Sequence, residues 1–372
     1  VRLSPDRVAW VDVAKGASVV LVVLHHTLLA LTATGYAPRV LLEASTALGT
    51  LRMPLFFLAS GLFAGRALAG PWGPLLRRRV ALFAWVYVLW CALRLPFFSL
   101  LAHGLDLAAW PSPAVLVHAL WQPSSSLWFV HALAVFSLAG RLLRPVPVPV
   151  RLGGAAVLSA VVGSGLVPVD SYAWRSMGAY LVFFLLGAHG SGALRRAVAR
   201  LTRPAAAAGA LALGAAFAVA TAAVHGSELA RVPGVRLGVG LVAVAAAVLA
   251  AAAVGDGRLA AVPRRLGTRT LDVYLVHGLL LAAALHVVVA VVPAPAGGPP
   301  PLPAAAGLTV ALVVGCVTGS LAVGRALRRA GAGWLFALPA PLSGRRPATS
   351  ATAGRGAGVV PAPRPLAGAT AS

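Results

Sequence analysis

Apolar runs long enough to cross a bilayer alternate with short polar segments along almost the whole chain. A spanning helix needs about 20 apolar residues. Runs of that kind fall at 11–31, 45–65, 80–101, 126–143, 153–168, 174–190, 205–224, 236–254, 271–292 and 304–325, which predicts ten transmembrane helices. The runs are rich in Ala and Leu and lack the alternation of lipid-facing and lumen-facing positions that a membrane barrel requires, so helix is expected over strand. The fifth and sixth are short and glycine-bearing, which leaves their ends loosely defined. The expected fold is all-α: a polytopic transmembrane helical bundle.

Arginine tests this partition, because cytoplasmic loops carry the excess of positive charge. With the N-terminus inside, 24 of the 30 arginines fall in inner segments, and only Arg39, Arg175, Arg231 and Arg236 fall in outer loops. Arg52 and Arg94 lie within spans. Both termini are therefore expected in the cytoplasm. Residues 1–328 form the expected membrane domain, and 329–372, rich in Pro, Gly, Ala and Arg, are expected to be a disordered tail. The first run is expected to be a retained helix, because a removable signal peptide does not normally carry an aspartate and a lysine.

Composition narrows the classes. Of 372 residues, 59% are hydrophobic and 10% charged, far from the balance of a soluble domain. The formal charge of +23 is not read as a nucleic-acid footprint, since the arginines sit between apolar runs and not on a soluble basic face. Cys91 and Cys316 fall inside apolar runs and predict neither a disulfide framework nor a metal site. One detail is sharper. The single lysine is Lys15, which suggests a position where a compact ammonium serves and a planar guanidinium does not.

Lys15 belongs to the stretch "DVAKGASVVLVVLHH", residues 12 to 26, in which ionisable groups stand in an apolar span. Such groups are expensive in hydrocarbon and mark function by default. On a helix, His26 lies eleven positions and about 20° around from Lys15, whereas His25 is displaced by about 80° the other way. Asp12 is close enough to Lys15 for an ion pair. Lys15 and His26 are separated by ~16 Å along the axis. Imidazole is the side chain best suited to accept and return a proton near neutral pH. His26 and Asp12 are the candidate catalytic pair, with His26 as general base. His25 is expected to hydrogen-bond a neighbouring helix.

The stretch "WVDVAKGASVVLVVLHH" resembles the first helix of the membrane-bound acyltransferase-3 family, in which a basic residue stands eleven positions before a histidine regarded as catalytic. The resemblance continues through "LRMPLFFLASGLFAG" (51–65), "RRR" (77–79), "SSLWFVHALAVF" (125–136), "YLVFFLLG" (180–187) and "TLDVYLVHGLLL" (270–281), in the family's order. Two departures stand out. No proline follows the basic cluster closely, and Val130 and His131 stand where the family often has a small residue or proline.

The resemblance implies an integral membrane O-acyltransferase of the bacterial plasma membrane. It would take an acyl group, most often acetyl, from acyl-CoA as donor substrate, with no bound cofactor. The acceptor would be a hydroxyl of a glycan, a lipid-linked sugar or a hydrophobic natural product. Lys15, Arg77, Arg78 and Arg79 are the candidate phosphate contacts, with topology as the competing reason for the arginines. Ser60, beside Gly61 and near Pro54, is a candidate for a relaxed helix facing a cavity, with close helix packing as the alternative. Trp128 is a candidate wall of the acceptor site or an interfacial anchor. Tyr274 and His277 are candidate donor contacts, with Asp272 beside them, or else members of a satisfied polar cluster at a helix start. The rival classes are a proton-coupled transporter or flippase and a non-catalytic membrane subunit. The first predicts an internal repeat and paired interrupted spans, and neither is detectable.

Overall fold

The computed structural model describes residues 9–100, 113–123, 126–255, 257–293 and 298–339. It is 83% helical, with no strand among the described residues. The helices are α1 (Ala9–Ala33), α2 (Arg39–Ala47), α3 (Gly49–Leu62), α4 (Gly65–Ala69), α5 (Trp72–Leu75), α6 (Ala81–Leu100), α7 (Pro113–Trp121) and α8 (Trp128–Leu142). They continue with α9 (Val148–Ser164), α10 (Tyr172–Ala199), α11 (Arg203–Val224), α12 (Val235–Val254), α13 (Ala261–Gly267), α14 (Thr270–Val291) and α15 (Leu302–Arg329). A π-helical turn, Leu76–Val80, joins α5 to α6.

Every predicted run is helical, and eight segments are long and apolar enough to cross a membrane. The other two runs form the shorter apolar helices α8, of 15 residues, and α9, of 17. The sixth run, expected to be short, is instead the 28-residue α10. Its extra length comes from "SGALRRAVA" at 191–199, a polar but strongly helix-forming extension that hydropathy alone does not count. The second run begins earlier than expected, at Arg39, and is interrupted at Leu48, which caps α2 and precedes α3.

Local chemistry marks the ends. The Ser171 hydroxyl accepts from the Trp174 amide at the start of α10, and the Thr202 hydroxyl accepts from the Ala205 amide at the start of α11, each satisfying one orphan donor. α9 stops at Gly165, whose φ of +79° is the left-handed conformation that glycine adopts without a Cβ clash.

α1 is the hub, packing against α2, α3, α12, α13, α14 and α15. α3 and α10 touch backbone to backbone: a Cβ on Gly61 would come 2.1 Å from the Phe184 carbonyl oxygen, and one on Gly187 would come 2.2 Å from that of Leu58. This is the small-residue contact by which helices associate in lipid. Gly61 therefore serves packing. The ordered chain also runs past the boundary expected at 328. Trp85 Nε1 donates to the Trp334 carbonyl at 2.9 Å, Trp90 Nε1 donates to that of Leu335 at 2.7 Å, and Phe336 is buried. Aromatic residues at 334–336 thus seal α6 after α15 ends, and the segment expected to be a tail begins with a packed turn. Residues 340–372 lie outside the described residues.

Candidate active site

α1 is unbroken from Ala9 to Ala33, so the stripe expected from helical spacing is present. Lys15 Nζ lies 4.0 Å from the Asp12 carboxylate and 5.6 Å from the Phe63 ring centroid. Arg195 also lies near the Phe63 ring, at 5.9 Å. Asp12 is fourteen residues before His26, ~21 Å away along the axis. It therefore does not share a site with the imidazole, and its expected place in a catalytic pair is corrected to that of the Lys15 partner.

At the other end of the stripe, His26 Nδ1 lies 3.1 Å from Nε2 of His277 on α14, and His277 Nδ1 lies 2.9 Å from the Val273 carbonyl oxygen. That carbonyl can only accept, so His277 Nδ1 carries its proton and donates. In the neutral ring, His277 Nε2 is then bare and accepts from His26 Nδ1–H. His26 is left with an unprotonated Nε2. One backbone carbonyl thus sets both tautomers, in the way that a second partner orients a histidine base. His277 is fully buried, while His26 keeps part of its surface accessible. His277 had been expected among donor contacts near the helix start. Its measured partner is His26.

His25 Nδ1 contacts the Ser45 hydroxyl on α2 at 3.3 Å, the inter-helix bond expected of it. Two intramembrane arginines, noted in the sequence without a role, flank this region. Arg52 is 6% exposed and donates to the Ser45 carbonyl at 3.1 Å. Arg94 is 3% exposed and donates to the Ser126 hydroxyl at 2.8 Å and to the Leu275 carbonyl at 3.3 Å. Arg52 thus reaches the residue that contacts His25, and Arg94 reaches α14 two positions before His277. The signal that would have found them is their position: a guanidinium in hydrocarbon is a functional candidate in its own right.

The other expected site residues separate. Tyr274 donates its hydroxyl to the Ser126 carbonyl, so it ties α14 to the segment before α8. Asp272 is 2% exposed and takes two hydrogen bonds from Arg328, at 2.6 and 2.5 Å, with Arg269 at 3.6 Å. It is the satisfied polar cluster, not a donor contact. Ser60 donates its hydroxyl back to the Phe56 carbonyl at 2.8 Å, and its own carbonyl accepts from Arg79 at 3.4 Å. Arg79 also donates to the Ser137 hydroxyl at 3.0 Å. The three consecutive arginines thus do not act as one cluster: Arg79 turns inward and joins α3 to α8, while Arg77 and Arg78 are exposed. All three arginines lie on the π turn Leu76–Val80, which leads into α6. His131, at the second departure, has its Nε2 3.1 Å from the Leu120 carbonyl and so ties α8 to α7.

Two clefts bracket the bundle. One, of about 450 Å³, is lined by Arg66, Arg78 and Arg79 with Leu82 and Phe83. The other, of about 430 Å³, is lined by Thr50, Pro54, Tyr172, Tyr180 and residues around them. Trp128 stacks at 6.4 Å on Tyr180 and meets Tyr172 edge-on at 5.9 Å, which puts it behind the wall of the second cleft.

The model of the acyltransferase-3 family, described as an acyltransferase domain, matches residues 8–321. The chain belongs to the acyltransferase-3 family. It is a multi-pass integral membrane acyltransferase, and the matched span takes in α1 with its ionisable stripe, the His26–His277 contact and both clefts. No curated protein and no solved structure matches it.

Proposed function

We propose that the protein moves an acyl group, acetyl in the simplest case, from acyl-CoA to a hydroxyl of a glycan, lipid-linked sugar or hydrophobic natural product, with His26 as general base. The observation that carries this reading is the chain from the Val273 carbonyl through His277 to His26 Nδ1. It leaves His26 Nε2 as the proton acceptor. A hydroxyl is a poor nucleophile until a base takes its proton, a contribution of about 10²–10⁴-fold. In the proposed reaction the acceptor oxygen bonds to the thioester carbonyl carbon while its proton passes to Nε2. The carbon–sulfur bond then breaks, and the sulfur leaves with that proton. Arg52 and Arg94 stabilise the negative charge that develops on the carbonyl oxygen.

The place of the donor is supported by charge. CoA brings phosphates from the cytoplasm, and the cleft with Arg66, Arg78 and Arg79 lies among the segments that the arginine bias assigns to that side. Lys15 and Arg195, both near the Phe63 ring, add two cations. A donor with its charged end at Lys15 extends over ~16 Å of α1 to bring its thioester to His26. Acetyl-CoA added to the purified protein is expected to raise its melting temperature by linkage, and Lys15→Gln combined with Arg78→Gln is expected to lose most of that rise. No rise in the wild type contradicts the reading.

A further inference from the structure

We propose that the cleft lined by Thr50, Tyr172, Arg175, Ser176, Tyr180 and Arg236 binds an acceptor that carries a phosphate or carboxylate next to the hydroxyl to be acylated. This rests on the acyl-transfer reading above and adds the acceptor's chemical class. The cleft lies where α3 begins, after the chain has returned from the C-terminal end of α1, and it is bounded by α3, α9, α10 and α12.

Charge is the first argument. Arg175 and Arg236 both line this cleft and no acidic residue does. Neither forms an ion pair with a carboxylate among the described residues: Arg175 sits 5.9 Å over the Tyr172 ring, and Arg236 donates to the Ala230 carbonyl at 3.3 Å. Topology does not account for them. They are two of only four arginines on the side where orientation disfavours basic residues. Guanidinium groups converging on one cavity without a counter-charge suit bidentate capture of a carboxylate or phosphate.

The rest of the lining suits a polyhydroxylated ring. Pro54 has no N–H, so the Thr50 carbonyl lacks its donor in the helix, and both residues line the cleft. That oxygen is an acceptor for a ligand hydroxyl. Tyr180 is stacked at 29° on both Phe57 and Trp128, which makes a rigid aromatic wall for the apolar face of a sugar. Thr50 and Arg236 are shared with an adjoining cleft of about 300 Å³, so the ligand can extend beyond one ring. Two residues after Thr50, Arg52 bonds the Ser45 carbonyl, and the Ser45 hydroxyl touches His25. The cleft thus lies beside the segment of α2 and α3 that holds His25, the neighbour of His26 on α1.

The experiment uses detergent-solubilised membranes of the native cell and radiolabelled acetyl-CoA, comparing the wild type, His26→Ala and Arg175→Gln/Arg236→Gln. Label that depends on His26 is expected in a product retained by an anion exchanger. Extraction into butanol separates a lipid-linked anionic acceptor from a free one. The double arginine variant is expected to lose at least about tenfold in transfer, the loss of one or two charge-assisted bonds, while keeping the full melting-temperature rise with acetyl-CoA. A neutral labelled product overturns the proposal and leaves acyl transfer standing. An anionic product formed at the wild-type rate by the double variant overturns the assignment to this cleft. Absence of any His26-dependent label overturns the acyl-transfer reading and this proposal with it.

Discussion

His277 Nε2 stands 3.1 Å from His26 Nδ1, across 251 positions of sequence. Because His277 Nδ1 faces the Val273 carbonyl, the contact has a direction: it drives the His26 proton to Nδ1 and exposes the lone pair on Nε2. His277 is therefore a positioning residue. His277→Ala is expected to lower kcat by about 10–100-fold, to leave the KM for acyl-CoA unchanged and to move the acidic limb of the pH–rate profile, where the base becomes protonated. His277→Gln, whose amide oxygen can accept from Nδ1–H, recovers part of the rate. A purely structural role would lower the melting temperature without altering the profile.

Lys15 holds Asp12 at 4.0 Å and faces the Phe63 ring at 5.6 Å. Lys15→Arg keeps the charge but replaces a compact ammonium with a longer planar group. Steady-state kinetics are expected to show a several-fold rise in the KM for acyl-CoA with a smaller change in kcat. Unchanged kinetics would show that any cation serves there.

Asp272 is buried and shared between Arg328 and Arg269. Removing its charge leaves two partly exposed guanidinium groups without their partner and a buried amide in place of the carboxylate, a change that costs about 1–3 kcal/mol. Asp272→Asn is expected to lower the melting temperature by several degrees with the KM for acyl-CoA unchanged. A raised KM at wild-type stability would return Asp272 to the donor site.

Gly267 lies so close to α1 that a Cβ there would stand 1.9 Å from the Asp12 carbonyl oxygen. Gly16 makes the reciprocal approach, with its Cβ 1.9 Å from the Pro263 carbonyl oxygen. Neither contact can relax without moving a backbone. Gly267→Ala is expected to push α13 away from α1, costing about 1–3 kcal/mol as overpacking does and weakening the acetyl-CoA thermal shift through Lys15. A variant with wild-type stability would show that α13 moves freely.

Much of the fold was legible because hydrocarbon allows few solutions: all ten runs became helices, and the eleven-residue spacing in an unbroken α1 put Lys15 and His26 on one stripe. The site was legible only along one helix. That His277 pairs with His26, that Arg79 turns inward to Ser137 and Ser60, and that Asp272 faces Arg328 are results of packing between helices far apart in sequence. The Ser60 hydroxyl bonds its own fourth-preceding carbonyl, as a serine in a helix can, a local choice that the sequence does not reveal. Arg52 and Arg94 were visible as charges inside apolar runs, yet only the structure shows that they bond to Ser45 and to the Leu275 carbonyl.

The central claim is that His26 Nε2 removes the acceptor proton. Transfer of label from acetyl-CoA by His26→Ala, His25→Ala and wild type, each first shown to be folded by its acetyl-CoA thermal shift, tests it most directly. His26→Ala is expected to lose at least about 10²-fold, and His25→Ala less, since its Nδ1 contacts the Ser45 hydroxyl on α2. Wild-type turnover by His26→Ala, or equal losses in the two variants, would contradict it.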